Sequence, residues 1–162
     1  MLNSLTTLHE IDNTETARSI ACQIEDLSKT VCIKNTDLTI ISQNIRSIYK
    51  NIDDLQITLA QFDFKNDIIA LTECRLDPMK PTPQIDNYNS FSTTCHLNKC
   101  DGVVAYVKNN HNVSFEEVKL THASCLQLTI NDVTVLCIYR SPSNKNAVNF
   151  INSLDLHFIY IP

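Results

Sequence analysis

A chain of 162 residues, of which 43% are hydrophobic, can bury one core, so its length and composition predict one domain or part of a larger one. The formal net charge is −5 and the pI is near 5.4, so charge alone should not attract the chain to nucleic acid, and any chemistry on phosphate would need a cation. The seven cysteines are an odd number and no charged-then-apolar leader opens the sequence, so we expect reduced thiols in an intracellular protein of the nucleus or cytoplasm that is not secreted.

The N-terminal residues predict an extension that precedes the main domain. The first thirteen residues are polar, and apolar side chains then recur at helical spacing from Ala17 to Leu27. Asn13 or Thr14 can cap this helix. We therefore assign 1–36 to an N-terminal extension with a helix, and the remaining residues, 37–162, to a partial domain.

The next part of the sequence predicts a strand, a helix and a second strand. The first strand covers 37–44, the helix covers 47–62 with its apolar residues on one face, and the second strand covers 67–73. Parallel strands that are joined by a right-handed helical crossover end at the same edge of a sheet. Asn44 and Glu73, which end these two strands, should therefore share an edge, and ligands of open α/β sheets bind outside such strand ends.

The second half of the sequence predicts mostly short strands. Residues 76–102 are polar and contain no helical pattern, which is typical of a surface excursion. Asn131 and Asp132 predict a two-residue hairpin turn, and 144–156 predicts a helix. Together with the strand–helix–strand unit, this order predicts an α/β fold with mixed sheets. The apolar runs are too short for a membrane span, so we expect no membrane partner. The segments typical of strands cover 103–107, 113–118, 125–130 and 133–139.

Several segments, taken together and in order, resemble a known family. The segments are "ISQNIRSIYKNIDDL", "FKNDIIALTECRL", "DGVVAYVKNN", "VTVLCIYRSPS" and "NFINSL". They resemble the endonuclease/exonuclease/phosphatase superfamily, and most closely the apurinic-endonuclease-like domain at the start of non-LTR retrotransposon polyproteins. The resemblance covers residues 37 to about 154, and its specificity comes from the set of segments. It implies a four-layered α/β sandwich with Mg²⁺ or Mn²⁺ as cofactor and DNA as substrate.

The resemblance assigns roles to three residues of this chain. Asn44 matches an asparagine that orients groups of the active site, and Glu73 matches the glutamate that binds the metal ion. Tyr139 matches the tyrosine that contacts the scissile phosphate. A glutamate suits this role, because Mg²⁺ prefers hard oxygen ligands and is commonly held by one or two carboxylates with waters and phosphate oxygens.

Each of the three residues also has a simpler interpretation, which stays open at this point. Glu73 can be a solvated loop residue or a cap, and Asn44 can close an Asx turn that leads into the helix. Tyr139 can be an amphipathic residue at the edge of the core. We assign no catalytic part to Arg140. A zinc site around the cysteines of 95–100 is disfavoured, because neither a C-x₂-C spacing nor a paired second half occurs there.

Two segments of the family do not occur in this sequence. Family members follow the last matching helix with an apolar strand that ends Gly-Asp-Phe-Asn, and later with Ser-Asp-His, and these segments activate the attacking water. A positioned general base is typically worth about 10²–10⁴-fold, so we expect little or no activity from this chain alone. The expected fold is then an incomplete, truncated sandwich. A second sheet without most of its strands would leave one apolar face of the first sheet exposed and open to self-association.

The resulting hypothesis is a fragment of a Mg²⁺-dependent DNA endonuclease of a non-LTR retrotransposon, with weak DNA binding in isolation. Whether the chain is itself an enzyme stays open, because its catalytic set is incomplete. The alternative is a non-catalytic remnant or interaction module. A signalling phosphatase of the same superfamily is less favoured, because "IYRSPS" and "LTECRL" resemble the retroelement branch.

Overall fold

The computed structural model describes residues 38–61, 66–94, 98–142 and 146–159, which belong to one compact unit within 38–162. The N-terminal extension and its expected helix lie outside the described residues. Among the helices that are described, none is long and apolar enough to cross a membrane.

Within the described ranges, the first sheet is mixed and has the strand order β1-β2-β4-β3. β1 and β2 run parallel and are joined by helix α1, which confirms the predicted strand–helix–strand unit. β4 runs antiparallel to both of its neighbours. The elements of this part are β1 (Ile40–Asn44), α1 (Ile48–Ala60), β2 (Ile68–Thr72), β3 (Tyr88–Ser92) and β4 (Val104–Lys108).

Strand β3 lies inside the segment that was expected to be only a surface excursion. It pairs with β4 at the edge of the first sheet, and the Tyr88 hydroxyl donates to the Asn66 carbonyl at 2.6 Å. Its two aromatic residues, Tyr88 and Phe91, pack on opposite faces of the sheet. A strand with one apolar face shows apolar residues at every second position, and these two aromatic residues are three positions apart. The sequence therefore gave no strand signal here.

The second sheet, as far as it is described, is an antiparallel meander of β5 (Val113–Leu120), β6 (Ala123–Ile130) and β7 (Val133–Arg140). Asn131 and Asp132 join the last two strands with φ values of 49° and 66°. Two successive positive φ values are typical of the tight hairpin turn whose twist matches that of the strands, so the predicted turn is confirmed. Helix α2 (Ala147–Ile159) follows, close to its predicted range.

Hydrophobic clusters define the order in which these elements pack. Helix α1 buries its apolar side chains, such as Leu55, on one face of the first sheet. The other face of that sheet shares a cluster with the second sheet, in which Val107 and Leu128 are both buried. Phe150 and Leu154 of α2 pack beside Cys125 on the outer face of the second sheet. The packing order is therefore α1, first sheet, second sheet, α2.

The second sheet covers the β2 and β4 part of the face of the first sheet that was expected to be exposed. Ile68, Val103 and Ala105 on this face are fully buried in the cluster shared with the second sheet. The expectation of an exposed apolar sheet face is therefore wrong for β2 and β4. It is correct at β1, where Ile40, the cross-strand partner of Ile68 on the same face, is 45% exposed. Large exposed apolar side chains also occur on α2, namely Val148, Ile151, Leu156, Phe158 and Ile159.

Candidate functional site

Glu73 follows the buried strand β2 in a left-handed backbone conformation. Its φ is 54°, and Arg75, two residues further on, has a φ of 52°. For residues other than glycine this conformation costs roughly 1–2 kcal/mol each, and it persists only where the surrounding structure holds it. The residues after β2 therefore form a specific, strained turn, which we call the Glu73 turn (residues 73–75).

Hydrogen bonds hold the Glu73 turn from two sides. The Ile48 N–H at the start of α1 donates to the Cys74 carbonyl at 2.9 Å. From the other side, the Cys74 N–H donates to the Gly102 carbonyl at 3.0 Å, and the Arg75 N–H donates to the Asp101 carbonyl at 2.8 Å. The turn is thus hydrogen-bonded both to the start of a helix and to the segment that leads into β4. These contacts fix the backbone from which the Glu73 carboxylate extends.

Gly102, the single glycine of the sequence, lies at this contact. Its φ is +112°, and a Cβ atom at this position would lie 3.0 Å from Cγ of Leu76. Both the backbone conformation and the lack of space therefore require glycine. The close approach that results lets the Gly102 carbonyl reach the Cys74 N–H.

Tyr139 on β7 connects the second sheet to Glu73. The Tyr139 hydroxyl donates to Oε1 of Glu73 at 2.9 Å, and the tyrosine is buried whereas the glutamate is half-buried. Burial, followed by the hydrogen bond to Glu73 and the charge of that carboxylate, raises the pKa of Tyr139 to about 12. The phenol is therefore protonated at neutral pH and acts as a hydrogen-bond donor at the site.

Asn44 lies at the same edge of the first sheet, as the strand order predicted. In the parallel register of β1 and β2 it is the partner of Thr72, the residue before Glu73. Its side chain is exposed, and its Oδ1 accepts a hydrogen bond from the Arg46 N–H at 3.2 Å. This is the Asx turn that was the simpler interpretation of Asn44.

A buried carboxylate that the sequence analysis did not single out lies next to these residues. Asp101 is 2% exposed, and its Oδ1 accepts hydrogen bonds from the Gly102 N–H and from the Ser124 hydroxyl, both at 2.7 Å. Ser124 is the cross-strand partner of Tyr139. After burial and Glu73, the charge of Asp101 also contributes to the raised pKa of Tyr139. The sequence carried one signal for Asp101, namely that this aspartate directly precedes the only glycine of the sequence and an apolar strand.

The donor chemistry of Glu73 fits a hard divalent cation. No group of three or more His, Cys, Asp or Glu side chains is placed to hold a metal ion in the part of the chain that is described. Mg²⁺ does not need such a group, because it retains several waters and is usually bound by one or two carboxylates plus phosphate oxygens. A rigidly mounted carboxylate at a sheet edge meets this requirement.

Comparison of the sequence with models of known protein families gives no match, and no curated protein matches it either. Function must therefore be argued from the residues of the site. A half-buried carboxylate beside a protonated phenol can bind a hard cation and donate a hydrogen bond to an anionic oxygen.

Proposed function

We propose that this chain is part of a Mg²⁺-dependent, phosphodiester-cleaving DNA endonuclease of the kind that belongs to non-LTR retrotransposons. One observation carries the proposal: Glu73 is held in a strained turn at the end of a buried strand and accepts a hydrogen bond from Tyr139 of the other sheet. Backbone strain of this kind is concentrated at functional sites. Positive φ values occur at eight described non-glycine residues, so it is the hydrogen bond from Tyr139 that distinguishes Glu73 from a solvated loop glutamate.

The order of the layers supports the same proposal. The packing order α1, first sheet, second sheet, α2 is the order expected for the four-layered sandwich that the sequence resembles. The strand ends that carry Asn44 and Glu73 lie at one edge of the first sheet, and Tyr139 reaches Glu73 from the second sheet. The three residues assigned by resemblance thus come from the edges of both sheets.

Each residue has a defined part in the proposed site. Glu73 would bind Mg²⁺ or Mn²⁺, with waters and phosphate oxygens as the other ligands. When bound, the cation would stabilise negative charge on the leaving oxygen. Tyr139, which is protonated at neutral pH, would turn its single phenolic hydrogen from Glu73 to a phosphate oxygen when the substrate binds. The Asn44 amide would orient the neighbouring groups. Because the net charge is −5, DNA binding without the cation should be weak.

Cation binding is a better test of this proposal than DNA cleavage. The 162 residues contain neither a Gly-Asp-Phe-Asn nor a Ser-Asp-His segment, so the groups expected to activate water are absent from this sequence. Loss of a general base typically costs about 10²–10⁴-fold in rate. Nicking by the chain alone is therefore expected to be very slow even where the cation binds.

The experiment is a titration of the full chain with Mn²⁺, followed through the relaxation rate of water protons. The wild type should bind one Mn²⁺ at the proposed site. Loss of a residue that only hydrogen-bonds to a metal ligand typically costs about 10- to 100-fold in metal affinity. Glu73 is the proposed ligand itself, so Glu73→Gln should weaken Mn²⁺ binding by at least about tenfold. Glu116→Gln, which changes an exposed glutamate on β5, is the matched control and should bind as the wild type does. Equal affinity of the wild type and Glu73→Gln would reject the proposal.

The alternative, a non-catalytic interaction module, is favoured by a different observation. Large apolar side chains of α2 are exposed, among them Phe158 at 55% and Ile159 at 71%. Exposed apolar patches commonly mark sites of protein association. In such a module Glu73→Gln should leave every metal-dependent property unchanged, and metal-dependent nicking that this substitution abolishes would refute the alternative.

A further inference from the structure

Asp101 is a buried carboxylate to which the proposed site gives no role. Burial of an ionisable group is costly unless hydrogen bonds compensate for the lost water. Asp101 is only 2% exposed, and its Oδ1 accepts the hydrogen bonds from the Gly102 N–H and the Ser124 hydroxyl. A buried carboxylate with such specific partners requires a structural or functional reason.

The contacts of Asp101 join the two halves of the proposed site. Its backbone carbonyl accepts the Arg75 N–H of the Glu73 turn. Its side chain accepts the hydroxyl of Ser124 on β6, and Ser124 is the cross-strand partner of Tyr139. One residue therefore connects the turn that carries the carboxylate of Glu73 to the strand pair that carries the phenol of Tyr139.

We infer that Asp101 is a positioning residue, which fixes the Glu73 turn relative to β6 and β7 and so holds Glu73 at hydrogen-bond distance from Tyr139. The inference deepens the proposed function, and the part that concerns metal affinity rests on it. The positioning depends on the hydrogen bonds that Oδ1 accepts and not on the negative charge of Asp101. A residue that merely stabilised the fold would leave the Glu73–Tyr139 contact and the metal affinity unchanged in every variant that folds.

Four variants of the full chain separate these possibilities. Asp101→Asn keeps an Oδ1 atom that can accept both hydrogen bonds but removes the charge, whereas Asp101→Ala removes both. Ser124→Ala removes one donor and leaves the carboxylate in place, and it serves as the second variant if Asp101→Ala does not fold. Asp86→Ala changes an exposed aspartate and is the matched control.

The first measurement is the affinity of each variant for Mn²⁺. Asp101→Ala should bind about tenfold more weakly than the wild type or worse, as is usual when a group that supports a metal ligand is removed. Ser124→Ala should also lose affinity, and Asp86→Ala should remain close to the wild type. Asp101→Asn removes a negative charge near the cation but keeps the hydrogen bonds, so it should lose less affinity than Asp101→Ala. Two results would overturn the inference: wild-type affinity in Asp101→Ala and Ser124→Ala, or a loss in Asp101→Asn as large as that in Asp101→Ala.

The second measurement needs no metal and therefore separates the inference from the proposed function. The ¹³Cζ chemical shift of Tyr139 at neutral pH, assigned by its absence in Tyr139→Phe, reports on the hydrogen bond of the phenol. In Glu73→Ala the acceptor is missing, so this variant gives the ¹³Cζ chemical shift of Tyr139 without the hydrogen bond. The chemical shift in Asp101→Ala and in Ser124→Ala should change towards that value, whereas Asp101→Asn should keep the wild-type value. If the wild type binds no Mn²⁺, the proposed function fails, and an unchanged Tyr139 signal in Asp101→Ala and Ser124→Ala would overturn the inference separately.

Discussion

Substitution of Tyr139 by phenylalanine removes the hydroxyl that donates to Glu73 and keeps the ring, so it probes the contact without opening a cavity in the core. A hydrogen bond to a charged group contributes about 1.5–3 kcal/mol to stability. Glu73 is half-buried, so water can partly replace the lost donor, and we expect a value at the lower end of that range. Tyr139→Phe should therefore lower the free energy of unfolding by about 1.5–2 kcal/mol at pH 7.

Urea denaturation followed by far-UV circular dichroism measures this loss, and the melting temperature should fall by about 5 °C for a chain of this size. Tyr106→Phe is the matched control, because the Tyr106 hydroxyl donates at 2.6 Å to an uncharged acceptor, the Pro83 carbonyl, and its loss should cost about 0.5–1.5 kcal/mol. Adding Glu73→Ala completes a double-mutant cycle. If Tyr139→Phe costs the same with and without Glu73, the two side chains do not interact and the reasoning is refuted.

The contribution of this contact should also depend on pH in a defined direction. The pKa of Tyr139 is raised to about 12 from its ordinary value of 10.0, so the folded chain holds the phenolic proton more tightly than the unfolded chain does. The stabilisation is then fully present below pH 10 and is lost as the pH rises from 10 towards 12. A difference in stability between wild type and Tyr139→Phe that stays constant up to pH 11.5 would contradict this sign.

Further predictions follow from other contacts. Gly102→Ala should lower the free energy of unfolding by more than about 1 kcal/mol in urea denaturation, because of the positive φ and the close Leu76 side chain, and a loss below about 0.5 kcal/mol would contradict this. Burial alone would raise the pKa of Asp67, but hydrogen bonds from Thr39 and from His111 at 2.9 Å lower the pKa overall. The ionised carboxylate therefore stabilises the fold at pH values above 3.8, its ordinary pKa. The stability difference between wild type and Asp67→Asn should therefore shrink as the pH falls from 3.8 through the lower pKa that Asp67 has in the folded chain, and a difference that grows in acid would be the wrong sign. Peptide mapping after brief iodoacetamide treatment should find Cys100 labelled first among the described cysteines, because it is exposed, and rapid labelling of the others would contradict this. Burial raises the pKa of the other thiols, to about 12 for Cys74 and Cys125 and to about 11 for Cys137.

Local sequence patterns predicted the elements that depend on neighbouring residues. The apolar period of α1 and the Asn131–Asp132 turn were both predicted, because helical spacing and tight-turn chemistry are properties of short segments. The shared edge of Asn44 and Glu73 was also predicted, because the crossover of a strand–helix–strand unit determines which strand ends meet.

Features that depend on how the two sheets pack were not predicted. The hydrogen bond between Ser124 and Asp101 joins the second sheet to the segment that leads into β4 of the first sheet, and no local pattern reports such a contact. The same is true of the covered face of the first sheet, which depends on the position of β6 and β7. The left-handed backbone of Glu73 was missed for a different reason, because positive φ values are expected at glycine and asparagine and Glu73 gives no such signal.

Binding of a divalent cation by Glu73, beside the phenol of Tyr139, is tested by NMR spectra of the ¹⁵N-labelled full chain during addition of Mn²⁺. Paramagnetic broadening depends steeply on distance, so it locates the ion. If Glu73 binds the cation, broadening should begin at the amides around Asn44, Glu73 and Tyr139, and Glu73→Gln should abolish it. Broadening that begins elsewhere in the chain, or that is the same in Glu73→Gln, would show that Glu73 does not bind the ion.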